Sequence, residues 1–511
     1  MAKARTQAQV KTPPKIKTLS KAPTGIAGLD ELTRGGLPRG RPTLVSGRAG
    51  CGKSVLGLEF LVRGAAQFGE PGVIVSFEET VEELATNVAS FGFDLDDLVA
   101  QGKLVLEFVS VERHEIEETG EYNLDGLFVR LAHAIESVGA KRVLLDTIES
   151  LFAGLTNLAI LRAELRRLFR WLKSKGLTVI ITGEQGEGTL TRQGLEEYVS
   201  DCVIALNVQL NHHVATRMMR VVKYRGSGHG SDEYPFIITE KGILVMPITS
   251  LGLAHAASTE RISSGNPALD EMLGGEGYFR GSSVLVSGTS GTGKTSIAVY
   301  LVDAACRRGE RCMYFAFEES PAQLLRNMRS IGLDLEPYVK KGLLRIEATR
   351  PSLFGLEMHL ASSFRAIEEF DPAVVVVDPI TDFVALGSSY EVRSMMTRLV
   401  DHLKSRGITA LLTSLSAGRT VHSDDDVGIS SLIDTWVLVQ LIEVAGERNR
   451  GVSVLKSRGM AHSNQIREFT LGPDGMKVIA AYRGPQGFLS GSARQAQQDA
   501  DEVAGAKRGA R

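Results

Sequence analysis

The stretch GIAGLDELTRGGLPRGRPTLVSGRAGCGKS at residues 25–54 returns as GNPALDEMLGGEGYFRGSSVLVSGTSGTGKT at residues 265–295. The echo keeps its order downstream. VIVSFEET is answered by YFAFEES, NVASFGFDLDDLVAQGKLVLE by NMRSIGLDLEPYVKKGLLRIE, KRVLLDTI by AVVVVDPI, and KYRGSGHG by KSRGMAHS. Self-similarity on this scale requires the chain to fold the same way twice, as a tandem duplication of a domain of roughly 230–240 residues. The expected layout is a flexible N-terminal tail over 1–16, a first domain over 17–247, a linker over 248–260, a second domain over 261–485 and a flexible C-terminal tail over 486–511.

Within each copy short apolar runs alternate with segments of helical spacing. PTLVSG, GVIVSFE, RVLLDT, LTVIITG and CVIALNV read as strands, and SVLGLEFLVRGAAQFG and AILRAELRRLFRWLKSKG as helices. Continuous apolar strands alternating with helices predict an α/β fold, a mainly parallel sheet covered on both faces. Ligands of such sheets bind beyond the carboxyl ends of the strands, where the repeated motifs fall. The 58 Lys and Arg against 60 Asp and Glu leave a net charge of −2, so the chain as a whole has no attraction for nucleic acid or an anionic membrane. No apolar run approaches the roughly 20 residues of a membrane helix, and the four cysteines lack the pattern of a disulfide framework. Both point to the cytoplasm.

GRAGCGKS (Gly47 to Ser54) and GTSGTGKT (Gly288 to Thr295) both satisfy the P-loop pattern between a predicted strand and a predicted helix. Glycines at Gly47, Gly50, Gly52, Gly288, Gly291 and Gly293 let backbone N–H groups curl around phosphate oxygens, and the helix N-terminus adds favourable charge. Lys53 and Lys294 are expected to reach the β- and γ-phosphates of ATP, with the Ser54 and Thr295 hydroxyls on Mg²⁺. Cys51, at a variable loop position, reads as a small spacer. Asp146 and Asp378, each ending an apolar strand, are the expected Walker B acids.

Glu78, Glu79, Glu318 and Glu319 follow strands expected to neighbour the P-loop strand. One acid of each pair would orient or deprotonate the attacking oxygen, and the other would face a metal or partner residue. The alternative is that they merely start the next helix, where negative charge is favourable. Lys223 and Arg225, like Lys456 and Arg458, lie two apart on what reads as one strand face. They could embrace a nucleotide held by a neighbouring subunit, or form an ordinary charged surface strand.

On these doubled P-loops, FEE segments and KxRG segments, the chain resembles the KaiC family of RecA-like ATPases from about residue 17 to 485. The resemblance implies two tandem RecA-like P-loop domains in a double-ring homo-hexamer, with ATP and Mg²⁺ between subunits. It also implies slow ATP hydrolysis chiefly in the first domain, and serine/threonine autokinase and autophosphatase activity in the second. By the same likeness Ser430 and Ser431 in GISSLIDTWVLVQ are the phospho-acceptors, and Glu318 is the base that activates them and a further metal ligand. The nucleotide contacts implied are Val55, Ser90, Tyr224, Ser227 and His229 in the first domain, and Ser290, Thr292, Ser296, Ile331, Ser457 and His462 in the second, beside the residues already named.

The chain departs from the family where Ile331 replaces a common aromatic residue beside the base, where Ala385 replaces an arginine, and where HSDDDVG is acidic. The tail after GFLSGS does not resemble the segment that recruits KaiA, which argues against KaiA as a partner, while a KaiB-like partner on the first ring stays open. Two other readings share the fold: an ATP-gated scaffold without autokinase activity, and a RecA- or DnaB-like nucleic-acid motor. The acidic stretch SVERHEIEETGEYNLDG counts against the motor, which needs basic channel loops.

Overall fold

The computed structural model describes residues 19–109, 124–152, 158–186, 189, 191, 200–211, 214–246, 257–416, 428–444, 446–480, 482–484, 487–492 and 494–499. The acidic segment up to residue 123, the linker over 248–256, the tail over 1–16 and most of HSDDDVG lie outside the described residues. The rest forms two compact units, one of residues up to 209 with 215–246, the other of residues from 257 onward with 210, 211 and 214. No helix among the described residues is long and apolar enough to cross a membrane.

Each unit is built on a nine-stranded sheet. The first comprises β1 (Pro42–Gly47), β2 (Gly72–Ser76), β3 (Leu104–Phe108), β4 (Arg142–Asp146), β5 (Thr178–Glu184), β6 (Cys202–Asn211), β7 (Val214–Tyr224), β8 (Glu233–Thr239) and β9 (Gly242–Val245). The second comprises β10 (Ser283–Gly288), β11 (Cys312–Ala316), β12 (Leu344–Ala348), β13 (Val374–Asp378), β14 (Thr409–Leu415), β15 (Thr435–Val444), β16 (Glu447–Ser457), β17 (Arg467–Gly472) and β18 (Gly475–Ile479). The orders are β3-β2-β4-β5-β1-β6-β7-β8-β9 and β12-β11-β13-β14-β10-β15-β16-β17-β18, the same sequence of neighbours in both. The P-loop strands β1 and β10 are central, flanked on both sides by parallel partners. Every residue of both is buried, which is why they read as unbroken apolar runs. Helices follow in turn: α1 (Lys53–Gln67), α2 (Val81–Ala89), α3 (Asp125–Val138), α4 (Leu158–Ser174), then α5 (Lys294–Arg307), α6 (Pro321–Arg329), α7 (Leu356–Phe370) and α8 (Ser389–Ser405).

Three expectations need correcting. The strands that carry the glutamate pairs, β2 and β11, do not neighbour the P-loop strands, because two strands, β5 and β4 or β14 and β13, come between. Crossover connections carry the chain past the places those later strands fill, so sequence order misleads about sheet order. Arg225 and Arg458 lie just beyond β7 and β16 and share no strand face with Lys223 and Lys456. The segment after residue 485, expected to be a flexible tail, is tied down at least as far as Arg494. Gly487–Leu489 pairs with Tyr482–Gly484, and Gly491 N–H donates to the buried Glu468 at 3.1 Å. A buried carboxylate needs such partners, and Arg494 supplies a further one at 3.2 Å.

Candidate functional site

Both P-loops are shaped to receive phosphate. Gly52 and Gly293 enter α1 and α5 at φ 102° and 100°, a left-handed conformation that favours glycine. A Cβ on Gly288 would come within 2.1 Å of the Val439 carbonyl oxygen. At Gly50 and Gly291 a Cβ would meet nothing within 4 Å, so the crest of each loop is open. Cys51 is fully buried, and Thr292 closes its loop by donating to the Thr289 carbonyl at 2.8 Å. Val55 and Ser296 follow in the first helical turns.

Lys53 and Lys294 are each 8% exposed and curl back over their loops. Lys53 Nζ donates to the carbonyls of Gly47 (3.0 Å) and Arg48 (3.1 Å), Lys294 Nζ to those of Gly288 (3.0 Å) and Thr289 (2.9 Å). Burial lowers the proton affinity of Lys294, against the opposing pull of Asp378 and Glu318.

The two strand-end acids meet the P-loop hydroxyls. Asp146 accepts hydrogen bonds from Thr182 and Ser54, and burial raises its pKa while those donors and Lys53 pull it down. Asp378 accepts from Thr295 Oγ1 at 2.8 Å and from the hydroxyls of Tyr314 and Thr413. Burial, then the charge of Asp378, keeps the Tyr314 hydroxyl protonated. A hydroxyl joined to a carboxylate at a helix N-terminus is a donor set suited to a hydrated divalent cation, and the two units have it in common.

The two glutamates of each pair turn in different directions, from a bend beyond the strand. Glu79 and Glu319 turn toward the following helix, where Asn87 Nδ2 (3.4 Å) and Asn327 Nδ2 (3.2 Å) donate to them. Neither pair caps that helix. The caps are Thr80 with Glu83 and Ser320 with Gln323.

Glu78 and Glu318 turn toward the Walker B loop, and here the two units differ. Ser150 Oγ donates to Glu78 Oε1 at 2.6 Å. The matching residue of the second unit is Asp382, a like charge. Burial, then Asp382 and Asp378, raises the pKa of Glu318, with Lys294 opposing, and burial followed by Asp378 raises that of Asp382 itself. Next to Ser150, Glu149 is pushed by burial up to about 7. Its Oε1 accepts from the Glu184 N–H at 2.8 Å, while Oε2 is buried without a hydrogen-bond partner among the described residues. The second unit has Thr381 there, accepting from the Leu415 N–H at 3.3 Å.

Lys456, Arg458, Ser430 and Ser431 form a second cluster. Lys456 Nζ donates to the Ser430 carbonyl at 2.8 Å and Arg458 Nη2 to the Ser431 carbonyl at 2.9 Å. This cluster lies at the foot of the sheet, where Asp434 N–H donates to the Ser283 carbonyl at the start of β10. Lys294 and the P-loop are at the other end of that six-residue strand, about 17 Å away along it. The first unit repeats this placement, with Arg225 N–H on the Asp201 carbonyl and Asp201 N–H on that of Pro42. So neither unit brings its own P-loop and its own KxRG segment together.

Several expected contacts have other partners. The Tyr224 ring is buried near His229, and its hydroxyl donates to the Gly36 carbonyl at 2.8 Å, which leaves only its backbone for a ligand. Ser227 Oγ accepts from Lys21 Nζ at 2.7 Å, and Ser457 Oγ pairs with Thr435 Oγ1 at 3.1 Å. Ile331 packs against the second core, Ser90 ends α2, Ser290 is exposed on its loop, and His462 is exposed near the Ser463 carbonyl. Lys223 is half-buried near the end of β7. Tyr314, Thr182, Thr413, Ser150 and Asp382 were not expected in the site. Thr182 and Thr413 could have been found by aligning the two copies, LTVIITG against ITALLTS, whereas Tyr314 is matched by Ile74 and leaves no repeat signal.

Two P-loops on central parallel strands, each hydrogen-bonded through its Ser or Thr to a strand-end aspartate, define a tandem RecA-like P-loop ATPase. Comparison with known proteins narrows this. The family model described as "ATPase: KaiC" matches twice, over residues 22–250 and 262–483, and the chain belongs to the KaiC family. It is 56% identical over 493 residues to "Circadian clock protein KaiC2" of Synechocystis sp., covering 96% of this chain and 87% of that protein. It is 39% identical over 479 residues to "Circadian clock oscillator protein KaiC" of Synechococcus elongatus, covering 93% and 92%. Over 496 residues it is 37% identical to "Circadian clock protein KaiC3" of Synechocystis sp., covering 95% and 97%.

Proposed function

We propose that the chain is an ATP-dependent serine autokinase and slow ATPase that works as a homo-hexamer, with each nucleotide held between neighbouring subunits, as the core of a timing or signalling system. The observation that carries this reading is the separation within one chain. The KxRG cations hold the Ser430–Ser431 backbone at the opposite end of the sheet from Lys294, so acceptor and phosphate donor can meet only between chains.

In this reading Ser54 with Asp146, and Thr295 with Asp378, hold Mg²⁺, which when bound neutralises charge on the phosphates. Lys53 and Lys294 exchange their loop carbonyls for phosphate oxygens. In the second domain Glu318 takes the proton of a neighbouring Ser430 or Ser431 hydroxyl as its oxygen bonds to the γ-phosphorus; the bond from that phosphorus to the bridging oxygen breaks and ADP leaves. A carboxylate with raised proton affinity is a better base for a hydroxyl, and Glu318 has one. In the first domain Glu78, steered by Ser150, orients water instead. Arg225 and Arg458 complete the sites of adjacent subunits. Return of the phosphoryl group from the serine oxygen to ADP, with the proton going back to the serine, re-forms ATP, and hydrolysis of that ATP by water would complete the autophosphatase activity; a KaiB-like protein is the partner class for the first ring.

The test is incubation with Mg·ATP and mapping of phosphate by mass spectrometry, beside a Glu318→Gln variant. Phosphate on Ser430 or Ser431 that the variant lacks supports the autokinase. Steady ATP turnover without phosphate on either serine points instead to a pure ATPase.

A further inference from the structure

The arginines of the two KxRG segments are not left to aim themselves. In both units the Arg225 or Arg458 N–H donates to the carbonyl of an aspartate at the foot of the strand beside the P-loop strand, Asp201 (2.8 Å) or Asp434 (2.9 Å). The carboxylate of that same aspartate stands near the guanidinium, 3.9 Å from Arg225 Nη1 and 3.8 Å from Arg458 Nη1. A lysine in the last turn of the preceding long helix clamps the carboxylate, Lys173 at 2.9 Å and Lys404 at 2.7 Å. The surroundings are otherwise rebuilt. Arg41 approaches Asp201 at 3.6 Å, whereas Ser283 offers Asp434 both its N–H and its hydroxyl at 3.0 Å. What survives the rebuilding is lysine, aspartate, arginine.

The distances suit aiming better than locking. At 3.8–3.9 Å the carboxylate attracts the guanidinium without forming the bidentate fork that would consume its donors. Both arginine side chains are 54% exposed, the same in the two units, and beyond the bond that Arg458 Nη2 gives the Ser431 carbonyl at 2.9 Å, donors stay available to a partner. The carboxylate itself is fixed. Burial favours the protonated form of Asp434, but the hydrogen bonds of Lys404 and Ser283 outweigh it and hold the group below the usual carboxylate range.

We infer that Asp201 and Asp434, each clamped by Lys173 or Lys404, are positioning residues that pre-aim Arg225 and Arg458 at the nucleotide of the adjacent subunit. This rests on the proposed role of those arginines between subunits. Pre-aiming matters because a donor that stabilises developing charge contributes most when it need not reorganise at the moment of reaction. A surface ion pair of purely structural role would contribute little and would not have to leave the arginine half-exposed.

The experiment is a double-mutant cycle in the full-length protein. Phosphate incorporation at Ser430 and Ser431 and its dependence on ATP concentration are measured for Asp434→Asn, Arg458→Ala and the double variant, with thermal unfolding followed in parallel. The expected result is a fall of about tenfold in the maximal rate for Asp434→Asn, with the half-saturating ATP concentration within about twofold of wild type. On the Arg458→Ala background the same change should cost less than about twofold, because the residue acts through the arginine. Lys404→Met, which removes the clamp and leaves the aspartate, should lower the rate in the same direction, and it stands in if Asp434→Asn does not fold. Full activity of Asp434→Asn beside an impaired Arg458→Ala overturns the inference alone, as does an undiminished Asp434→Asn effect on the Arg458→Ala background. An Arg458→Ala variant with wild-type activity overturns the inference together with the arginine role beneath it.

Discussion

On the proposed function, a chain that carries Lys294→Ala should not grip ATP in its second domain, yet should still offer Arg458, Ser430 and Ser431 to a neighbour. A chain that carries Arg458→Ala is the converse. About 17 Å of β10 separates the two groups in one subunit, farther than either side chain can bridge, so in the proposed function each working site draws its P-loop from one chain and its arginine and acceptor from the next. Alone, Lys294→Ala should therefore be inactive and Arg458→Ala reduced to a small residual rate, while an equimolar mixture of freely exchanging subunits regains a site wherever an intact P-loop faces an intact arginine. Random assortment gives that arrangement at about one interface in four, so incorporation should recover to about a quarter of wild type. Peptide mapping of Ser430 and Ser431 is the right assay, because ATP turnover in the first domain does not register in it. A mixture no more active than its separate components would refute the reasoning.

Three further outcomes are expected. Ser150→Ala removes the 2.6 Å hydrogen bond that steers Glu78, and at about 1–1.5 kcal/mol for such a bond it should lower first-domain ATP turnover about tenfold, read in a chain whose second site is silenced by Lys294→Ala. Glu318 must be ionised to accept a proton, and its pKa is raised by burial, then by Asp382 and Asp378, so incorporation should fall with acidification at a higher pH than for an ordinary glutamate. Asp382→Ser removes one neighbouring charge and should move that acidic limb to lower pH; a pH profile identical to wild type would contradict the coupling. Arg142, fully buried, donates to Glu70 and to the Phe60 and Pro23 carbonyls at 2.7–2.8 Å, so Arg142→Ala should destabilise the first unit by about 3 kcal/mol, the low end for a broken buried pair because Glu70 keeps Arg39. Denaturant unfolding measures it.

What could be read from sequence was whatever is local in the chain. The P-loops, the strand-end aspartates and the alternation of strand and helix are each contained in a few residues, and the duplication let every motif corroborate its copy. Sheet order was not legible in that way. FEE follows soon after the P-loop, but the two strands that intervene in the sheet come later in the sequence, and nothing within the segment announces them. The same limit hid Asp201 and Asp434, which meet Arg225 and Arg458 across many residues of chain, although both align between the copies. Ser150 and Asp382 were overlooked for the opposite reason. The repeat directs attention to what the halves share, and these residues carry what separates them.

The most direct measurement of the central claim is calorimetric titration with a non-hydrolysable ATP analogue in the presence of magnesium. Two nucleotides should bind per chain, one of them lost in Lys53→Ala, the other in Lys294→Ala, and both in the double variant. Uptake that is absent from the wild-type protein, or that survives both substitutions, would contradict the account.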